Sequence, residues 1–109
     1  MGTQLIEKPL TKQQVITELG KPDSYALNAN YPNPFNPSTN IQFSTPEQSF
    51  VELKVFDILG NEVANLVKQD MEPGNYSVVF NGLNLAGGIY LYRLVSGNFF
   101  DTKKMMLIK

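Results

Sequence analysis

The chain has no cysteine, no histidine and no tryptophan. Without cysteine there is no disulfide and no thiolate metal site. Without histidine, the commonest general base and the commonest metal ligand are both missing. No apolar run reaches the roughly 20 residues that a membrane-crossing helix needs. No charged-then-apolar stretch opens the chain as a signal peptide would. If the protein is exported, its signal is expected upstream in a longer precursor, with Met1-Gly2-Thr3 as the start of an expressed fragment. A net charge of −1 argues against a nucleic-acid binder, which is usually clearly basic.

What is present is 109 residues with 42% hydrophobic content, enough for one small domain and a tail. Residues 1–26 read as an upstream linker or tail, and residues 27–109 as the domain. The first 24 residues contain no aromatic side chain. Thr11-Lys12-Gln13-Gln14 has capping-box spacing. Leu10, Val15, Ile16 and Leu19 suit one face of a short helix, and Gly20 and Pro22 stop it. Such a helix is marginal in water unless it docks on something.

The remainder reads as β. Ile41 and Phe43 alternate with Gln42 and Ser44, and Val51, Leu53 and Val55 with Glu52 and Lys54, the pattern of half-buried strands. Gly60-Asn61, Pro73-Gly74, Asn81-Gly82 and Ser96-Gly97-Asn98 supply turns. Tyr76, Val78 and Phe80 line one face of a further strand. Ile89 to Val95 is apolar on both faces and therefore expected to be central, and Phe99 to Ile108 follows it through a hairpin. With an edge strand near Leu27 to Tyr31, the total is about seven strands, an all-β, immunoglobulin-like sandwich. Tyr76 and Tyr90 each follow a strand-opening glycine by two residues. Either a tyrosine corner or a cross-strand aromatic pair fits that spacing.

No constellation of catalytic residues emerges. Asp57 and Glu62 flank the Gly60 turn, but no nucleophile is evident beside them. Asp57 reads as a turn cap and Glu62 as a solvated strand residue. Lone acids do not reach the six to eight oxygens that Ca²⁺ takes, so neither metal nor cofactor is expected. Gly87-Gly88 lacks the spacing, the lysine and the helix of a phosphate loop. Tyr31, Phe35, Tyr90, Tyr92, Phe99 and Phe100 are the candidates for a sugar-stacking platform, although a small sandwich needs aromatics for its core. Lys103, Lys104 and Lys109 make the last strand basic. They serve edge protection, a recognition handle, or both, and the strand itself is able to add to a partner's sheet.

Four motifs remain. Pro32, Pro34 and Pro37 stiffen Asn30-Tyr31-Pro32-Asn33-Pro34-Phe35-Asn36-Pro37 into an extended path without a regular ladder. Tyr31 and Phe35 are expected to dock as buried anchors. Phe56-Asp57-Ile58-Leu59-Gly60-Asn61-Glu62-Val63 follows, then Leu85-Ala86-Gly87-Gly88-Ile89-Tyr90-Leu91-Tyr92-Arg93-Leu94, then Lys103-Lys104-Met105-Met106-Leu107-Ile108-Lys109, with Met106 and Ile108 expected on the packed face. In this order the motifs resemble the type A C-terminal sorting domain of the type IX secretion system, with Phe56 where Tyr is more usual. The immunoglobulin-like domain of the flagellar hook-capping protein looks like a related fold.

The resemblance implies a non-catalytic export tag on a larger secreted protein, with an N-terminal passenger. It implies transit through the periplasm, recognition by the outer-membrane translocon and its shuttle proteins, and release or attachment at the cell surface. There a protease-like transpeptidase commonly removes the tag and links the passenger to anionic lipopolysaccharide. It places partner contacts at Asn30, Tyr31, Pro32, Asn33 and Pro34, and at Lys103, Lys104 and Lys109, with Gly60 and Gly88 as turn residues. The alternative is a structural, stalk or weakly carbohydrate-binding module of an extracellular enzyme. A stalk is free to lie mid-chain, whereas a tag is expected last, as the final motif is here.

Overall fold

The computed structural model describes residues 14–16 and 22–109. The strands are β1 (Gln14–Ile16), β2 (Ala26–Leu27), β3 (Ser38–Thr45), β4 (Ser49–Asp57), β5 (Glu62–Met71), β6 (Gly74–Asn81), β7 (Gly88–Ser96) and β8 (Phe99–Leu107). They form two antiparallel sheets, ordered β1-β6-β3-β2 and β5-β4-β7-β8. Seven strands from Ala26 onward make an immunoglobulin-like sandwich, as the turn spacing predicts. The helix expected in the tail is corrected at Gln14–Ile16. There the backbone is extended, with Val15 opposite Ser77 on the open edge of β6. β-branched Val15 and Ile16 favour a strand, and an isolated short helix is too weak to compete. The other helix residues, Leu10 and Leu19, the Thr11 cap and the Gly20 stop, lie outside the described residues.

The core sits between the sheets where the alternation places it. Ile41 and Phe43 of β3 and Tyr76 and Val78 of β6 meet Val51, Leu53 and Val55 of β4 and Tyr92 and Leu94 of β7, all essentially buried. β7 lies between β4 and β8, the central place expected of it, with Tyr90, Tyr92 and Leu94 buried and its outward Ile89, Leu91 and Val95 partly exposed. Gly97 turns the β7–β8 hairpin with φ +58, a positive φ at the first central position of a two-residue loop. The loop sets the register: Ser96 opposes Phe99, and Tyr90 opposes Met105.

Tyrosines tie the points where the chain changes sheet. The Tyr76 hydroxyl donates to the Glu72 carbonyl between β5 and β6, and the Thr45 hydroxyl reaches the same oxygen at 3.2 Å. The Tyr90 hydroxyl donates to the Ala86 carbonyl at 2.6 Å between β6 and β7. Both therefore act as tyrosine corners. Tyr76 also stacks on its cross-strand partner Phe43, with ring centres 5.4 Å apart, so the two sequence readings coexist there.

Burial pushes the Tyr76 hydroxyl from 10.0 up to about 12 and raises Tyr92 in the same direction. A raised folded-state pKa stabilises the fold fully below the unfolded value and is lost as pH climbs through the folded value. Thermal stability is therefore expected to fall between pH 10 and about 12. Tyr76→Phe should lessen that loss relative to its own neutral-pH value. A Tyr76→Phe curve parallel to the parent through that window would contradict the assignment.

Candidate functional site

The opening segment leaves β2 and slips by one residue relative to β3. Leu27 opposes Phe43, whereas Tyr31 opposes Asn40, with backbone bonds in both directions at 3.0 and 2.9 Å. A one-residue slip exchanges the faces of a strand. Tyr31 is consequently turned outward with Asn40 and is 79% exposed, which corrects the expectation that it is a buried anchor. Asn30 takes the inward place. Its Nδ2 donates to the Pro32 carbonyl at 3.1 Å and to Thr39 Oγ1 at 3.0 Å, and Thr39 donates to the same carbonyl at 2.8 Å. This triangle folds the proline segment back, so it bends at Pro32–Pro34 instead of running straight. The peptide bonds preceding Pro32, Pro34 and Pro37 are cis. From β7, the buried Tyr92 hydroxyl donates to the Asn28 carbonyl at 2.7 Å, pinning the approach to the segment.

Beyond the bend the segment lies along the outer edge of β8. Phe35 is 1% exposed, edge-on to Phe80 with ring centres 6.0 Å apart. Its backbone N–H donates to the Met106 carbonyl at 2.9 Å, and its carbonyl accepts from Ile108 N–H at 2.9 Å. One step earlier the Asn33 side chain acts as a strand would. Its Oδ1 accepts from Met106 N–H at 3.0 Å, and its Nδ2 points to the Lys104 carbonyl at 3.5 Å. The edge of β8 from the Lys104 carbonyl to the Ile108 N–H is therefore already bonded within the molecule.

The second and third motifs meet beside this contact. Asp57 opposes Tyr90, and Phe56 opposes Leu91. The Arg93 guanidinium lies 4.9 Å over the Phe56 ring. Asp57 caps its turn as expected: Oδ1 accepts from the N–H groups of Leu59 and Asn61, both at 2.9 Å. These bonds, above all that from Asn61, hold its carboxyl below the ordinary range. Gly60 completes the turn at φ +91, where a side chain would be strained. Glu62 pairs with Lys54 at 3.4 Å. The four motifs thus adjoin at one end of the second sheet in a stepped row: Asp57 opposes Tyr90 and Tyr90 opposes Met105, and two residues further along β8 Phe35 lies beside Leu107.

The family described as the secretion system C-terminal sorting domain matches residues 29–109. The chain belongs to that family. No curated protein and no solved structure matches it. The family is the type IX sorting domain, so the chain carries a secretion sorting signal, with export to the cell surface or the medium as its destination.

Within the sorting domain the three lysines do not converge. Successive side chains of a strand point to opposite faces, which separates Lys103 from Lys104. Lys103 lies 3.8 Å from Asp101. Lys109 is tied down, its Nζ donating to the Leu83 carbonyl at 2.7 Å. The apolar parity of the last strand is also corrected: Met105 and Leu107 are buried, whereas Met106 and Ile108 are 40% and 46% exposed. The six aromatics do not assemble into a platform. Phe35, Tyr90 and Tyr92 lie in the core, Phe99 stacks on Tyr25 at 5.3 Å, and Tyr31 and Phe100 are exposed. Sequence reasoning missed Phe35 and Asn33 as the groups that join the first motif to the last. The signal available for Phe35 was its place two residues beyond an asparagine in a segment too proline-rich to form its own ladder.

Proposed function

We propose that this sorting domain is a non-catalytic tag, folding as a unit over residues 27–109, that the type IX outer-membrane translocon and its shuttle proteins recognise in the periplasm. Recognition takes place at the end of the sandwich where the opening segment and the last strand meet. The reading rests on one observation, the row that brings all four motifs together. Four segments scattered along a chain have no need to adjoin if each serves only its own strand or turn. Tyr31, Pro32, Asn33 and Pro34 lie exposed beside Lys104, Met106 and Ile108, offering polar, aromatic and basic groups on a fixed backbone. The passenger precedes the tag and takes no part in the contact.

A fluorescent passenger joined to residues 27–109 behind an ordinary signal peptide should be exported by a host carrying the type IX machinery. Changing Lys104 to Gln, with folding checked by circular dichroism, should leave more of the passenger in the periplasm. If the folded variant is exported normally, Lys104 is not part of the handle. If the unaltered fusion stays in the periplasm, the tag reading itself fails.

A further inference from the structure

In an antiparallel ladder, residues alternate between those bonded to the neighbouring strand and those whose N–H and C=O point away from it. On β8, the outward set is Phe100, Thr102, Lys104 and Met106, continued by Ile108 just beyond the strand. An edge of this kind is a template for another chain. Here several of its groups are met from within the molecule. Thr102 N–H donates to Asp101 Oδ1 at 2.9 Å. Met106 N–H is bound by the Asn33 side chain, and Met106 C=O and Ile108 N–H by the Phe35 backbone.

We propose that Asn33 and Phe35 stand in for an absent neighbour strand, and that they thereby keep β8 from pairing with the β8 of a second copy of this chain. Phe35 is fixed by its buried ring and closes the Met106–Ile108 half. Asn33 is a positioning residue whose amide closes the next step, at Lys104 and Met106. Remove that amide and, among the described residues, the outward groups from Phe100 to the Met106 N–H lose every partner but the Asp101 side chain at Thr102, a stretch long enough for a second β8 to pair with. The inference is independent of how the secretion machinery reads the domain. It does bear on it: with this edge shut, a partner at the last strand contacts side chains such as Lys104, Met106 and Ile108, not backbone.

The test compares the full chain with Asn33→Ala, by residue-resolved amide exchange and by sedimentation. In the variant, Met106 N–H should exchange roughly tenfold faster, the size of one net hydrogen bond. Met105 and Leu107, bonded inward to β7, should stay slow. Asn33→Asp, which keeps the acceptor, should keep Met106 slow. Asn33→Ala should also self-associate as concentration rises, while the unaltered chain stays monomeric. Adding Met106→Pro removes only an outward N–H, as edge strands tolerate, and should restore the monomer. The proposal is overturned if Met106 exchange is unchanged, or if Met105, Met106 and Leu107 accelerate together. It is equally overturned if Asn33→Ala stays monomeric, or if the Met106→Pro double variant still associates.

Discussion

Phe35→Ala is expected to destabilise the domain by about 3–5 kcal/mol, the usual range for deleting a buried phenyl ring. The ring is 1% exposed, packs edge-on against Phe80 and lies beside Gly82, where an added Cβ would meet Leu107 at 2.9 Å and Phe35 at 3.5 Å. That close fit leaves little room for the site to collapse around a cavity. Alanine keeps the backbone bonds that hold the opening segment on β8, so the loss measures the buried ring that anchors them. Tyr31→Ala, by contrast, should change stability by no more than about 0.5 kcal/mol, as ordinary surface substitutions do. Urea midpoints measured on both variants decide between them. A large cost at Tyr31 or a trivial one at Phe35 would mean that the opening segment is anchored in some other way.

The contrast between these two aromatics shows where the sequence stopped being informative. Strand interiors were legible because Val51, Leu53 and Val55, or Tyr76, Val78 and Phe80, repeat with period two and bury one face. Turns were legible because Gly60, Gly97 and Asp57 carry their own backbone chemistry. Tyr31 and Phe35 sit outside any ladder, so no period applied to them. The slip between Leu27 and Tyr31, which turns Asn30 inward, has no local signature. It is imposed by the Asn30–Thr39–Pro32 triangle, formed by residues up to nine positions apart. The same holds for Asn33, whose partners Lys104 and Met106 lie at the other end of the chain. That the proline segment and the last strand both mattered was readable from the motifs. That they touch was not, since contact between distant segments follows from the packing of the sandwich.

The last strand departs from its expected parity for a different reason, and its true parity yields a second large effect. Met105, Met106, Leu107 and Ile108 are four apolar residues in succession, and such a run has no parity of its own. The hairpin supplies one. With Gly97-Asn98 as a two-residue loop, Tyr90 must oppose Met105, and the inward Tyr90, Tyr92 and Leu94 carry Met105 and Leu107 into the core with them. Leu107→Ala should therefore cost about 2–5 kcal/mol, whereas Met106→Ala, on the solvent face, should cost much less. The pair also separates folding from recognition in an export assay. A fusion carrying Leu107→Ala should fail because the domain is unfolded, with a matching loss of its circular dichroism transition. A fusion carrying Met106→Ala stays folded, so any export defect it shows belongs to contact with the machinery. Equal destabilisation by the two variants would return the strand to the opposite parity and would displace Phe35 from its neighbour Leu107, undoing the row that joins the four motifs.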